Sequence, residues 1–123
     1  MLIRPLVISL FLSLSSTVTA TADAILIMVE EHGCIWCERW NDEISHIYPK
    51  TDEGKAAPLQ RIDIHAKRPE GITFARRLSF TPTFVLVVDE TEVSRIEGYP
   101  GEDFFWGLLE KMLIRAKIDI TGS

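Results

Sequence analysis

Residues 24–40 read AILIMVEEHGCIWCERW, and the reading of this stretch decides the fold. Ala24 to Glu30 is a short, nearly continuous apolar run, the pattern of a strand buried on both faces of a sheet. Gly33 ends it. From Cys34 to about Tyr48 the apolar residues Trp36, Trp40, Ile44 and Ile47 recur at three- and four-residue steps, the period of an amphipathic helix, and Pro49 is expected to stop it. Cys34 therefore falls on the first turn of a helix, directly after a buried strand.

That placement has chemical consequences. Unpaired backbone N–H groups and the positive end of a helix dipole stabilise a thiolate, and cysteines so placed ionise at roughly pH 3.5–7.5 instead of ~8.5. Cys34 is the expected nucleophile. Cys37 lies one turn further in on the same side, can close a disulfide with Cys34, and is the expected resolving thiol. Two other readings of a CxxC pair stand beside this one. A zinc site wants four ligands, and beyond the pair only His32, His46 and His65 remain, none at a paired ligand spacing. A structural disulfide closing so small a loop would restrict the unfolded chain little. No metal or other cofactor is expected.

The rest of the chain supplies the frame. Leu59–Ile64 alternates apolar and polar residues as a strand covered better on one face. Ile72–Leu78 is read as a brief helix. Thr83–Val88 (TFVLVV) and Glu92–Glu97 read as two strands joined by a turn at Asp89-Glu90-Thr91, with Gly98 closing the second. Pro100-Gly101 leads into a last helix, acidic at its start (Glu102, Asp103) and basic at its end (Lys111, Arg115, Lys117), with Phe104, Phe105, Leu108, Leu109 and Met112 as its buried stripe. The order is β-α-β-α-β-β-α, which predicts an α/β fold with a mixed four-stranded sheet and helices on both faces.

With 123 residues, 46% of them hydrophobic, the chain has room for one core and no second domain. Residues 1–22 stand apart: charge at Met1 and Arg4, the apolar stretch Leu6–Leu14, then small residues. This is the layout of a secretory signal peptide, too short in its apolar part for the ~20 residues of a membrane-spanning helix. Cleavage would leave an exported domain of residues 23–123. It would take away one cation, Arg4, making the net charge of −5 one unit more negative. No basic patch points to nucleic acid.

Over nearly all of residues 23–123 the sequence resembles the thioredoxin superfamily. Besides CxxC at a strand-to-helix junction, Thr81-Pro82-Thr83 before an apolar strand is similar to the family's cis-proline loop, which faces the cysteine pair. The resemblance implies a thiol–disulfide oxidoreductase whose substrate contacts are Thr81, Pro82 and Gly98, with the bound partner pairing as an added strand. Trp36, beside the nucleophile, reads as an apolar rim for docking protein substrates or, equally, as a core residue with Trp40. The HGCxxC start and the stretch Glu97–Trp106 are similar to the small periplasmic thioredoxins of bacterial sulfur-oxidation (Sox) systems. That narrower likeness implies a reductant of protein disulfides or modified cysteines, recharged by a membrane thiol-electron transporter. Disulfide isomerase and a non-catalytic binding module are the alternatives. Three departures from the family pattern stand out. Met28 occupies the position of the family's buried proton-relay aspartate, leaving Glu30, Glu31 and His32 as nearby candidates. Ile35-Trp36 replaces the familiar Gly-Pro. The family's usual first strand and helix are missing, which implies a reduced version of the fold.

Overall fold

A computed structural model describes residues 2–3, 15–16 and 23–121 of the chain. Apart from 2–3 and 15–16, the expected signal segment 1–22 lies outside the described residues, as do residues 122–123.

Among the described residues four strands form one sheet in the order β2-β1-β3-β4: β1 (Ala24–Glu30), β2 (Leu59–Asp63), β3 (Thr83–Val88) and β4 (Thr91–Glu97). β1 pairs parallel with β2 and antiparallel with β3, and β3 pairs antiparallel with β4. The two central strands are the two apolar runs, and the alternation of their side chains explains why. Leu26, Met28, Phe84 and Leu86 face one core cluster, while Ile27, Val29, Val85 and Val87 face another on the opposite side. A strand with a core on each face leaves its interior positions to apolar residues, and the polar Glu30 and Thr83 stand at strand ends. The edge strands β2 and β4 carry the exposed and charged positions. β3 and β4 are joined through Asp89 and Glu90, both at positive φ (49° and 69°), as a tight two-residue hairpin requires.

Among the described residues all the helices pack on one face, not on both as expected. α1 (Ile35–Trp40) runs into a π-helical stretch (Asn41–Ser45), then a 3-10 turn (Tyr48–Lys50) and α2 (Asp52–Ala56); α3 (Glu102–Arg115) completes the layer. Residues from α1, the π-helical stretch, the 3-10 turn and α3, and Ala57 directly after α2, join the cluster of Leu26, Met28, Phe84 and Leu86. The single helix expected from Cys34 to Tyr48 is therefore broken. Its widened turn is held from outside: Arg61 on β2 donates to Asn41 Oδ1 and Ser45 Oγ, both at 2.9 Å. Pro49 does not end an α-helix but sits within the 3-10 turn, where its missing N–H costs nothing. α2 approaches that turn so closely that a Cβ on Gly54 would fall 1.7 Å from the Tyr48 carbonyl oxygen.

The brief helix expected over Ile72–Leu78 does not form, and the second face is covered instead by an irregular segment bearing Ile72, Phe74 and Leu78. Ile72 and Phe74 are two residues apart, a strand spacing, and Thr73 between them bonds to the hairpin: its N–H donates to Glu90 O and its carbonyl accepts from Glu92 N–H, both at 2.9 Å. A segment this short gains more from those bonds than from a helical turn it must nucleate alone. Along α3 the buried stripe is Phe105, Leu109, Met112 and Leu113. Phe105, Leu109 and Met112 are buried as expected, whereas Phe104 (70% exposed) and Leu108 (40%) face outward and Leu113 takes their place.

Candidate active site

The sheet register gathers the site at one end. Val29 lies opposite Thr83 and Thr83 opposite Glu97, so the end of β1, the Pro82 loop and Gly98 are neighbours. The Thr81–Pro82 peptide is cis, and Pro82 O accepts from the Gly98 N–H at 2.7 Å. Glu31 joins this loop to the cysteine segment: its carbonyl accepts from Cys34 N–H at 3.2 Å and its carboxylate from the Thr81 hydroxyl at 3.3 Å. Gly33, at φ 77°, makes the turn that separates β1 from α1.

Cys34 is the N-cap of α1. Its Sγ accepts a hydrogen bond from the Cys37 backbone N–H at 3.2 Å, so an orphan helix donor is spent on sulfur. The two cysteines form a disulfide with Cα atoms 5.2 Å apart. They differ in access, Cys34 being partly exposed and Cys37 only 3% exposed. Ile35 (71%) and Trp36 (50%) stand out into solvent beside them, and Phe80 is exposed next to Thr81. Trp40 is fully buried, so of the two tryptophans near the pair only Trp36 belongs to the rim.

A cavity of about 350 Å³ reaches both cysteines and is lined also by Glu30, Glu31, His32, Glu38 and Asp63. Met28 is fully buried. The three residues proposed in its stead all line this cavity, and two are held in place: Glu30 pairs with Arg61, and Glu31 with His65 Nε2 at 2.8 Å. Among the described residues no group of three or more His, Cys, Asp or Glu is arranged to hold a metal ion.

No protein-family model matches the chain, and no curated protein matches it. Among solved structures the chain is similar to the periplasmic thioredoxin SoxS from Paracoccus pantotrophus in its reduced form, at 49% sequence identity and a TM-score of 0.75, over 76% of this chain and 98% of that one. The chain belongs to the thioredoxin family. With a CxxC pair already joined as a disulfide at the head of α1, this thioredoxin is a thiol–disulfide oxidoreductase.

Other parts of the site were not singled out in the sequence. Arg39 and Glu43 form an ion pair at 2.7 Å, a pairing their i, i+4 spacing and opposite charge could have signalled. Tyr99 donates its hydroxyl to Glu43 at 2.6 Å across 56 residues of sequence, and Arg61 reaches Glu30, Asn41 and Ser45 from the neighbouring strand; no local pattern announces either. Arg76, expected on a helix face, pairs from the irregular segment with Glu97 at 2.8 Å.

Proposed function

We propose that this thioredoxin works in the periplasm as a reductant of disulfides or modified cysteines in partner proteins. The observation that carries the reading is the unequal access of the two sulfurs. Cys34 is partly open at a helix start, with the exposed apolar side chains of Ile35 and Trp36 following it; Cys37 is closed off behind it. In the reduced enzyme the Cys34 thiolate attacks one sulfur of a partner disulfide, forming a mixed disulfide and expelling the partner's other sulfur as a thiolate. Cys37, once deprotonated, attacks Cys34 Sγ. The Cys34–Cys37 disulfide forms, the second partner thiolate leaves, and two electrons have passed to the partner.

Thr81, Pro82, Gly98 and Trp36 are the substrate contacts in this reading, with the partner's backbone laid beside Thr81 as an added strand. The periplasmic location is supported by the similarity to a periplasmic thioredoxin, and residues 1–22 then serve as a cleaved signal peptide. A membrane thiol-electron transporter would return the dithiol.

Insulin reduction by the wild type and Cys34→Ser tests the chemistry: the variant is expected to be inactive, and equal rates in both overturn the reading. Cys37→Ser, expressed in the native compartment, is expected to retain partners as mixed disulfides on non-reducing gels. Recovery of none counts against protein substrates.

A further inference from the structure

Trp36 lies between the cysteines in sequence and is half exposed, yet its ring is not left free. The Arg39 guanidinium lies over it, 5.5 Å from the ring centroid. An exposed arginine holds nothing unless it is itself held, and here Nε donates to Glu43 Oε1 at 2.7 Å. An exposed Arg–Glu pair alone is weak. This one is anchored, because the other carboxylate oxygen, Oε2, accepts the Tyr99 hydroxyl at 2.6 Å. Tyr99 is buried, with its ring edge-on to fully buried Phe105. The contacts thus run without a gap from the core to the rim.

We propose that Tyr99, Glu43 and Arg39 form a positioning chain that fixes the Trp36 indole beside the cysteine pair and thereby sets the affinity for protein disulfides. The proposal rests on the reading of Trp36 as a substrate contact and adds the residues that govern it. A large side chain ordered before encounter need not be ordered during it, and that saving enters binding. The protonation pattern fits. The hydrogen bond from Tyr99, then that from Arg39, hold the Glu43 carboxyl below its usual range. Burial, then the bond to Glu43, pushes the Tyr99 phenol up. The bond to Glu43 and its charge push Arg39 up. Each group is favoured in the form the chain needs.

The test is insulin reduction, with KM and kcat separated, for full-length wild type, Trp36→Ala, Arg39→Met, Arg39→Lys, Glu43→Gln and Tyr99→Phe. Arg39→Met and Glu43→Gln are expected to raise KM about three- to fivefold with kcat unchanged. Tyr99→Phe is expected to raise KM also, and Arg39→Lys, which keeps a cation for both neighbours, to recover part of the loss. Arg39→Met removes a positive charge and Glu43→Gln a negative one, so simple charge steering would move KM in opposite directions; that result overturns the chain.

A second readout is independent of turnover. In protein labelled with 5-fluorotryptophan, the Trp36 fluorine line, assigned by its loss in Trp36→Phe, is expected to broaden or shift in Arg39→Met and Glu43→Gln. An unmoved line overturns the proposal. Wild-type KM in Trp36→Ala would refute the role of Trp36 and the chain with it, whereas a raised KM there beside normal values in Arg39→Met and Glu43→Gln refutes the chain alone.

Discussion

At Cys34 a single backbone donor does much of the chemistry. The Cys37 N–H points at Sγ from 3.2 Å, and the same donor would face the sulfur as a thiolate once the disulfide is opened. In the reduced protein Cys34 is therefore expected to ionise below the ~8.5 of a free cysteine, seen as thiolate absorbance near 240 nm that is lost in Cys34→Ser. Attack on a disulfide should then reach half its full rate at a lower pH than a free thiol does; a midpoint at or above that of a free thiol would refute the assignment. The two cysteines were legible in the sequence because an apolar run, a glycine and a helical period met at one point. Glu43 and Tyr99 were not, because a hydrogen bond spanning 56 residues leaves no trace in local periodicity.

Among the elements, β4 shows how an irregularity can be useful. Val85 pairs with Arg95 and Val87 with Glu92, a register shift that leaves Val93 as the extra residue of a bulge. In a regular strand, residues three apart point to opposite faces; the bulge brings Glu92 and Arg95 to the same one. Their side chains, 2% and 3% exposed, meet at 2.6 Å, and Arg95 also donates to the carbonyls of Arg76 and Arg77 while Glu92 accepts from Ala75 N–H. Burial alone would raise the Glu92 carboxyl. The bonds from Arg95 and Ala75 and the charge of Arg95 outweigh it, so its pKa lies below 4.5. A depressed carboxylate stabilises the fold above its unfolded pKa, and this stabilisation disappears as pH falls through the folded value. Urea melts are thus expected to lose stability below about pH 4.5, and Glu92→Ala to cost about 3–5 kcal/mol at pH 7 with a flatter acid limb. An unchanged acid limb in the variant would contradict this. The sequence could not reveal that residues 72–78 forgo a helix, because the competing bonds come from Glu90 and Glu92, remote until the hairpin forms.

At the scale of the molecule, the helical layer is joined to the sheet through aromatic rings. Phe105 contacts Phe84 at 4.9 Å, Trp106 at 5.3 Å, Trp40 at 5.8 Å and Tyr99 at 6.2 Å between centroids, so it touches β3, α1 and the loop before α3 at once. Phe105→Ala is expected to cost about 3–5 kcal/mol in thermal or urea melts; a loss under 1 kcal/mol would show that the layer is held elsewhere. The mixed four-stranded sheet was readable because two of its strands are apolar on both faces. The helical layer was less so: α3 is apolar on more than one side, and only the packed partner decides whether Phe104 or Leu113 turns inward.

The sheet order also governs when the sulfurs acquire their environment. Ala24 pairs with Val88, some sixty residues away, whereas the β3–β4 hairpin closes over a two-residue loop. Contacts so distant in sequence cost more loop-closure entropy than short-range ones and slow folding. During synthesis, a nascent chain that has not yet produced Thr83 has its cysteines but not the antiparallel neighbour of β1. Until that neighbour arrives, the two thiols lack the Pro82 loop and the Gly98 turn that the folded sheet sets at the end of β1.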